Sequence, residues 1–265
     1  MRIAFIGAGN MGRAMISGII KNKVAAPHQI VASDPATDYL RAFCAHNGIL
    51  SAKNNEEAAA DADAVVIAVK PQNLDEVLVN LRNHISNKSV LISICAGVSI
   101  EKFRKQTGHK AIVRAMPNTP GQIGMGVSVW TAVDVTPAQK KLAQNILEAM
   151  GNTYFVQKED DINKATALSG SGPAYLFYFV ECLAKAGVDL GFSTEMANEL
   201  AIKTVVGSAT YASNSSQPLS VLRENVTSKG GTTAAALDVL KYEGLEAIIT
   251  KAIRAAYERA LELGK

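Results

Sequence analysis

A glycine-rich segment near the N-terminus has residue types suited to holding the phosphates of a nucleotide. The segment follows the apolar run Arg2–Ile6, has the spacing GxGxxG, and opens the amphipathic stretch Met11–Ile20. In such a unit the first glycine permits a tight turn, the second lets the backbone approach a pyrophosphate, and the third lets helix and strand pack closely. Free N–H groups at the helix start attract phosphates. The pattern predicts a dinucleotide site formed by Gly7, Ala8, Gly9, Asn10, Met11 and Gly12.

The second predicted strand ends at Ser33-Asp34-Pro35, which places Asp34 22 residues beyond Gly12. A carboxylate at this spacing commonly binds the ribose hydroxyls of NAD. The first arginine that follows is Arg41, so no cation stands immediately beside Asp34 to receive the 2′-phosphate of NADP. Alternatively, Asp34 is a turn residue that points away from the cofactor. Both interpretations stay open, and with them NADP(H) and NAD(H) as cofactors.

Other strand ends are expected along the same crevice. Ala96 and Gly97 are small enough for a nicotinamide ring to approach the backbone. Lys70 is either a catalytic acid or a cation at a strand end, and Asn118 either binds the carboxamide or forms a turn between prolines. Cys95 has no accompanying His, which favours a small buried side chain over a nucleophile. The cofactor-binding candidates added by these strand ends are Ser33, Asp34, Ala68, Val69, Lys70, Pro71, Cys95, Ala96, Gly97 and Asn118.

Two further motifs lie in the second half of the chain. The loop Asn225–Thr233 is rich in Ser, Gly and Thr, includes Lys229, and opens a predicted helix. Backbone N–H groups at that helix start would bind a small anion such as a carboxylate; the alternative is an ordinary N-cap with a glycine hinge. The segment Ser169–Tyr175 places Pro173 at a first helical position. It indicates either ligand contact or helix packing through small residues.

Short apolar runs alternate with helical patterns through the first half of the chain. The predicted strands are Arg2–Ile6, Gln29–Ser33, Ala64–Val69, Ser89–Ile94, Ala111–Ala115, Gly126–Trp130 and Thr153–Val156. Helical patterns separate most of these strands, for example Met11–Ile20, Asn55–Ala60, Leu74–Leu81 and Pro137–Met150. This alternation predicts an α/β fold with an N-terminal Rossmann-type, doubly wound parallel sheet.

Beyond Glu159 no strand is predicted. The helical patterns there are Pro173–Ala186, Thr194–Tyr211, Pro218–Asn225, Thr232–Tyr242 and Gly244–Leu263. The expected domains are therefore a dinucleotide-binding domain, 1–158, and an all-helical domain, 159–265. The second is short for an independent core and is expected to complete its core against a second copy, as a homo-oligomer. The alternative is that it packs only on its own first domain.

Composition excludes several classes of protein. Of 265 residues 48% are hydrophobic, which is incompatible with a disordered chain, and the net charge of +3 is too weak to favour nucleic acid or an anionic membrane. The three Cys and four His are scattered, so neither a disulfide framework nor a metal site is expected. The N-terminus lacks the pattern of a signal peptide, and no apolar run is long enough to span a membrane. A cytoplasmic location is expected.

Six segments together resemble pyrroline-5-carboxylate reductase, and the resemblance covers essentially the whole chain. They are FIGAGNMGRAM (5–15), AVKPQ (68–72), CAGV (95–98), RAMPNTP (114–120), LSGSGPAY (168–175) and ENVTSKGGTTAAALDVL (224–240). The resemblance implies NAD(P)H-dependent reduction of (S)-1-pyrroline-5-carboxylate to L-proline, the last step of proline biosynthesis. It also implies a helical dimerisation domain, a homodimer that larger rings are often built from, and an active site to which both domains and both subunits contribute.

The resemblance also assigns residues. It implies that Thr233 is the catalytic hydroxyl, hydrogen-bonded to the ring nitrogen, and that Asn55 contacts the cofactor. The substrate-binding residues it implies are Ser228, Gly230, Gly231, Thr232, Thr233, Glu159 and Asn225. Two positions depart from many members: Lys229 replaces Pro, and Asp34 replaces Ser or Thr.

The main rival family is that of the β-hydroxyacid dehydrogenases, which share the glycine-rich start and a helical second domain. Their catalytic helix is similar to GxxGxGxxxKxxN. Here the same register places Leu176 and Phe179 at the Lys and Asn positions. The absence of that lysine argues against the rival. A nucleotide-sensing protein without turnover is the other alternative, and the intact loop 228–233 argues against it.

Overall fold

The computed structural model describes residues 1–264, which divide into two compact units. The first comprises residues 1–171 together with the chain from 256 onward, and the second comprises residues 172–255. These limits differ from the predicted domain boundary at 158/159. The helix that follows residue 159 stays with the first unit because Ile162 and Ala165 are buried where it packs against the sheet.

The first unit is built on one eight-stranded sheet. In chain order the strands are β1 Ile3–Ile6, β2 Ile30–Ser33, β3 Leu50–Ser51, β4 Ala64–Ile67, β5 Val90–Ser93, β6 Ile112–Met116, β7 Gly126–Val133 and β8 Gly151–Phe155. Their spatial order is β3-β2-β1-β4-β5-β6-β7-β8. All seven predicted strands are present, and the additional β3 is only two residues long and exposed.

The sheet is parallel except at one place. β7 runs antiparallel to β6, with Ile112 opposite Val133, and β8 is again parallel to β7. A short 3₁₀ turn, Thr119–Ile123, joins β6 to β7. A parallel pair needs a crossover of a dozen or more residues, and this connection has too few. The predicted doubly wound parallel sheet is therefore confirmed, except that the β6–β7 pair is antiparallel.

Helices cover both faces of the sheet. They are α1 Asn10–Lys21, α2 Thr37–Asn47, α3 Asn55–Ala59, α4 Leu74–Leu81, α5 Ile100–Thr107, α6 Pro137–Glu148 and α7 Asp160–Ala165. Alternate residues of β1 serve opposite faces: Phe5 packs in a core layer with Ile16 of α1, whereas Ile6 packs in a second layer with Leu78 and Phe103. Two buried layers on one sheet are the signature of a doubly wound fold.

The second unit is helical. It contains α8 Gly172–Asp189, α9 Thr194–Ser213, α10 Leu219–Asn225, α11 Thr232–Tyr242 and the start of α12 Leu245–Leu263, whose last residues belong to the first unit. These helices overlap all five predicted ones. Within the described residues 1–264, no helix is both long enough and apolar enough to cross a membrane.

Candidate dinucleotide and anion sites

The three glycines of the N-terminal loop differ in what surrounds them. Gly7 has φ +96° and donates its N–H to the Ser33 carbonyl at 2.8 Å; a Cβ on it would lie 2.8 Å from the Ala68 carbonyl oxygen. A Cβ on Gly12 would collide with the Gly7 carbonyl oxygen. A Cβ on Gly9 would meet nothing within 4 Å. Packing within the chain thus accounts for the first and third glycines, while the second borders open space that a ligand can enter.

The loop leads into a helix start that lacks a side-chain cap. Gly9 is the N-cap of α1, no side chain caps the helix, and its first turn contains no acidic residue. Its first N–H groups therefore have no intrahelical acceptor and carry the positive end of the helix dipole. Such a terminus binds phosphate groups.

Backbone hydrogen bonds bring the neighbouring strand ends to this loop. The Ala68 N–H donates to the Ile6 carbonyl at 2.8 Å, and the Ile94 N–H donates to the Ile67 carbonyl at 3.2 Å. The ends of β1, β2, β4 and β5 therefore form one edge of the sheet. Asn55 begins α3, which packs against β1 and β2. The predicted cofactor-binding segments of the first unit all lie along this edge.

Asp34 is bonded to the glycine loop itself. One carboxylate oxygen accepts the Ala8 N–H at 2.8 Å, and the other accepts the Ala36 N–H at 2.9 Å. The side chain thus forms a turn with Ala36, as one of the two interpretations expected, but it points to the loop and not away from it. The prediction that it binds ribose hydroxyls stays a prediction.

The residues that follow β5 pack against other parts of the first unit. Cys95 is buried, its thiol donates to the Val69 carbonyl at 3.5 Å, and burial raises its pKa to about 11. Gly97 has φ +74°, and a Cβ there would come 2.5 Å from Cβ of Leu263 in α12. The small size of Gly97 therefore serves helix packing, while half-buried Ala96 stays the predicted nicotinamide contact.

Two residues predicted to contact ligands, Asn118 and Glu159, are hydrogen-bonded to other parts of the first unit. The Asn118 amide donates to the Ser169 carbonyl at 3.1 Å and accepts the Val127 N–H at 2.8 Å. Glu159 accepts the Ile100 N–H at 2.8 Å and pairs with the Arg114 guanidinium at 2.9 Å. Both side chains already have partners within the first unit, so their proposed roles with ligands are not needed to explain them.

Arg114 is a residue that the sequence analysis did not single out. It lies in β6, its side chain is 3% exposed, and it also donates to the Asn163 side chain at 2.7 Å. A buried charge needs a partner, and its removal leaves the other charge uncompensated. The signal was present in the sequence as a lone Arg within the run Ile112–Met116.

The second loop, 228–233, lies in the second unit. Gly230 has φ +71°, Gly231 is the N-cap of α11, and no side chain caps this helix. No threonine hydroxyl therefore caps this helix, and both interpretations of the loop, as an anion site and as an N-cap with a glycine hinge, stay open. Thr232 is exposed and Thr233 is half-buried, and both begin the first turn. Asn225, the last residue of α10, donates to Gln217 at 3.3 Å. The loop presents N–H groups and hydroxyls at a helix start, a geometry suited to a small anion.

Among the described residues 1–264, no group of three or more His, Cys, Asp or Glu side chains is arranged to hold a metal ion. The two loops and the doubly wound sheet define a class: dinucleotide-dependent oxidoreductases whose substrate carries an anionic group.

Comparison with known proteins identifies the family. Residues 159–263 match the family "pyrroline-5-carboxylate reductase dimerisation", and residues 2–97 match "NADP oxidoreductase coenzyme F420-dependent". The pyrroline-5-carboxylate reductase of Vibrio alginolyticus is 40% identical, with 100% of this chain and 98% of the relative covered.

Solved structures agree. A pyrroline-5-carboxylate reductase from Coxiella burnetii superposes with a TM-score of 0.92 at 40% identity, covering 100% of this chain and 98% of that one. The Plasmodium falciparum enzyme, solved with NADP bound, gives 0.90 at 32% identity, with 100% and 98% covered. The chain belongs to the pyrroline-5-carboxylate reductase family, whose reaction is NAD(P)H-dependent reduction of (S)-1-pyrroline-5-carboxylate to L-proline. The rival assignment to the hydroxyacid dehydrogenases is thereby set aside.

Proposed function

We propose that this chain carries out the family's reaction by holding two anionic groups, the cofactor pyrophosphate and the substrate carboxylate, mainly on backbone N–H groups. The pyrophosphate would lie at Gly9–Gly12 and the substrate carboxylate at Gly230–Thr233. The observation that carries the proposal is that both helices begin at a glycine N-cap with no side-chain cap. A side-chain cap would occupy the same N–H groups that an anion needs.

The cofactor supplies the hydride when it is bound, and the protein supplies position. Open space at Gly9 admits a pyrophosphate, and the strand ends at Ala68 and Ala96 are proposed to hold the nicotinamide end. Orienting two reactants accounts for a large part of such a rate enhancement. Cys95 is not assigned as a nucleophile, because burial raises the pKa of its thiol to about 11 and the thiol donates to the Val69 carbonyl.

The reacting imine is activated through its nitrogen. Thr233 is proposed to hydrogen-bond this nitrogen from the first turn of α11, while the neighbouring N–H groups hold the carboxylate. Protonation of the nitrogen makes the imine carbon more electrophilic, so a hydroxyl at this place would both orient the ring and relay a proton from solvent to the nitrogen. Lys229 adds positive charge to the loop, where it attracts the anion.

We propose a homodimer as the working unit, with domains divided functionally as 1–158 and 159–265. Leu176, Phe177, Tyr178 and Phe179 follow one another in α8, and all are between 44% and 69% exposed. Because successive residues are about 100° apart, these four side chains surround most of the helix. A helix that is apolar on all sides is buried in its native assembly. A second copy of the chain is the proposed cover, and larger rings would be built from such dimers.

The site of action is proposed to be the cytoplasm, where NAD(P)H is supplied and thiols stay reduced. The three cysteines Cys44, Cys95 and Cys182 are free, as a reducing compartment requires.

One assay tests the catalytic proposal. Purified chain is mixed with pyrroline-5-carboxylate and either NADPH or NADH, and loss of the reduced nicotinamide absorbance is followed. We expect consumption of NAD(P)H with the imine, and no formation of NAD(P)H when hydroxyacids are offered with NAD(P)⁺. Cofactor binding without turnover would instead favour a nucleotide sensor. Light scattering on the same sample tests assembly: the proposed dimer has the mass of two 28.0 kDa chains, and rings have even multiples of one chain.

A further inference from the structure

The adenosine end of the proposed cofactor site contains Asp34, whose carboxylate already accepts hydrogen bonds from the chain itself. Asp34 stands where such a residue commonly binds the ribose hydroxyls of NADH. Here its two oxygens accept the Ala8 and Ala36 N–H groups at 2.8 and 2.9 Å, so it fixes the glycine loop to the turn after β2. Two charge-assisted hydrogen bonds hold the carboxylate in that orientation.

A guanidinium flanks the same loop. Arg13 is the fourth residue of α1 and is half-buried. Its Nη2 donates to Asn10 Oδ1 at 2.8 Å, and its guanidinium carbon lies 4.3 Å from the centre of the Tyr39 ring. Tyr39 stands five residues beyond Asp34, at the start of α2. The guanidinium is therefore held between the glycine loop and the segment that follows Asp34.

The ion pairing of this cation differs from that of Arg41. Among the described residues 1–264, no carboxylate forms an ion pair with Arg13, whereas Arg41 of α2 lies 3.8 Å from Asp38. A guanidinium carries five N–H donors, and only one bond of Arg13 to Asn10 uses them. Stacking on an aromatic ring leaves the edge of the guanidinium free for a planar fork of bonds to phosphate oxygens.

We propose that Arg13 selects the cofactor by binding the adenosine 2′-phosphate, while Asp34 braces the loop and does not bind ribose. The inference rests on the proposed function, because it assumes that the glycine loop holds a dinucleotide. It follows that the chain binds NADPH more tightly than NADH. Residue order alone does not indicate this role, since Arg13 precedes Asp34 and lies within the fingerprint helix.

The test is calorimetric titration of the purified chain with NADPH and NADH, and with the probes 2′,5′-ADP and 5′-AMP. Arg13→Ala should weaken binding of NADPH and of 2′,5′-ADP by roughly tenfold to a hundredfold, the usual loss for a charged hydrogen bond. NADH and 5′-AMP should change by less than about twofold, because neither carries the 2′-phosphate. Arg41→Ala is the matched control and should leave all four affinities unchanged.

Further variants separate charge from packing. Arg13→Lys keeps the charge but not the planar fork, so NADPH affinity should lie between those of the parent and Arg13→Ala. Tyr39→Leu removes the ring beneath the guanidinium and should cause a smaller loss that is again confined to the phosphorylated ligands.

Several outcomes would overturn the inference. They are tighter binding of NADH than NADPH by the parent chain, equal weakening of both cofactors by Arg13→Ala, and loss of discrimination in Arg41→Ala. Asp34→Asn that weakens NADH alone would restore the ribose interpretation and also refute it. If neither cofactor binds the parent chain, the proposed function fails as well. Tight NADPH binding without reduction of the imine would refute the proposed function alone and leave the role of Arg13 standing.

Discussion

The two units of the chain bury apolar side chains to very different extents. The first holds large side chains such as Trp130, Phe5 and Phe103 at 2% exposure or less. In residues 172–255 the buried apolar side chains are Ala184, Ala197, Ala201 and Leu222. Meanwhile, Leu190, Leu219 and Tyr242 of the same segment are at least 72% exposed. The first unit therefore has an extensive apolar core of its own, whereas the second leaves much of its apolar area exposed.

This difference suits the first unit to holding a cofactor and the second to associating with a partner chain. A sheet with both faces covered is rigid enough to hold a glycine loop in one conformation. Helices with exposed apolar faces gain most of their stability on association, because burial of apolar area drives both processes. The free energy of unfolding of the first unit and the free energy of dimerisation should therefore respond to different substitutions.

The largest expected effect is on the core of the first unit. Phe103→Ala removes a fully buried ring in α5 and should lower the free energy of unfolding by about 3–5 kcal/mol. Urea denaturation measures it, followed by fluorescence of Trp130, the single tryptophan, which lies in this unit. Val79→Ala is the control: Val79 is 62% exposed in neighbouring α4, so the loss should stay within about 0.5 kcal/mol. Equal losses in both variants would contradict a well-packed core.

The matched change in the second unit is Phe177→Ala. Phe177 is 64% exposed, so truncation removes no contact from a core within the chain. At a dimer interface, however, the same ring would contribute about 1.5–3 kcal/mol per fully buried side chain. We expect dimer dissociation at higher concentrations, measured by sedimentation, with an unchanged Trp130 unfolding curve at concentrations where both proteins are monomeric. An unchanged dissociation constant would show that α8 is covered by something other than a second copy.

Much of the fold was predictable because its signals are local. Buried runs such as Ala64–Ile67 and amphipathic stretches such as α1 can be read from residue order alone. β3 was missed because two residues contain no period. α5 was missed because charged residues fill half of Ile100–Thr107, and only Ile100, Phe103 and Thr107 are buried. The antiparallel β7 was missed because strand direction depends on the connection, which the strand's own residues do not reveal.

The site was predictable in outline but not in its bonds. The spacing of glycines predicted both loops that are proposed to hold anions, 7–12 and 228–233. The partners of Asp34, Asn118 and Glu159 lie 26, 51 and 45 residues away in sequence, at Ala8, Ser169 and Arg114. Such pairs form only when the whole unit has folded, so no local pattern announces them. A polar residue at a strand end can thus serve the ligand or the scaffold, and sequence alone does not separate the two.

Replacing Thr233 tests whether the second unit contributes to catalysis as well as to the proposed dimer interface. Thr233→Ala should lower turnover by more than about tenfold, equivalent to about 1.4 kcal/mol, while NADPH affinity stays nearly unchanged. The reason is that the hydroxyl is expected to act on the imine and not on the cofactor. Thr227→Ala is the control, because the Thr227 hydroxyl already donates to the Arg223 carbonyl of α10 at 2.6 Å. Unchanged turnover in Thr233→Ala would remove this residue from the mechanism.

The smallest expected effect is a pH dependence of the first unit's core. His109 is buried, its Nε2 lies 3.1 Å from the Ser89 carbonyl oxygen, and burial lowers its pKa below the ordinary value of about 6.5. Between the lowered and the ordinary pKa, the unfolded chain binds a proton that the folded chain does not. The free energy of unfolding therefore has its full value above about pH 6.5. It decreases as the pH falls below about 6.5, by at most about 1.4 kcal/mol per pH unit for one proton.

Trp130 fluorescence in urea measures this between about pH 7.5 and pH 5.5, where ordinary carboxyl groups, with pKa values near 4, stay ionised in both states. His109→Asn removes the titrating ring and should abolish the decrease, although it lowers stability at every pH. Because His109 belongs to the core that stands alone, its titration should not alter dimer dissociation at the same pH values. A pH-dependent dissociation that His109→Asn also abolishes would show that the two units are coupled, and that the core and the interface are not independent.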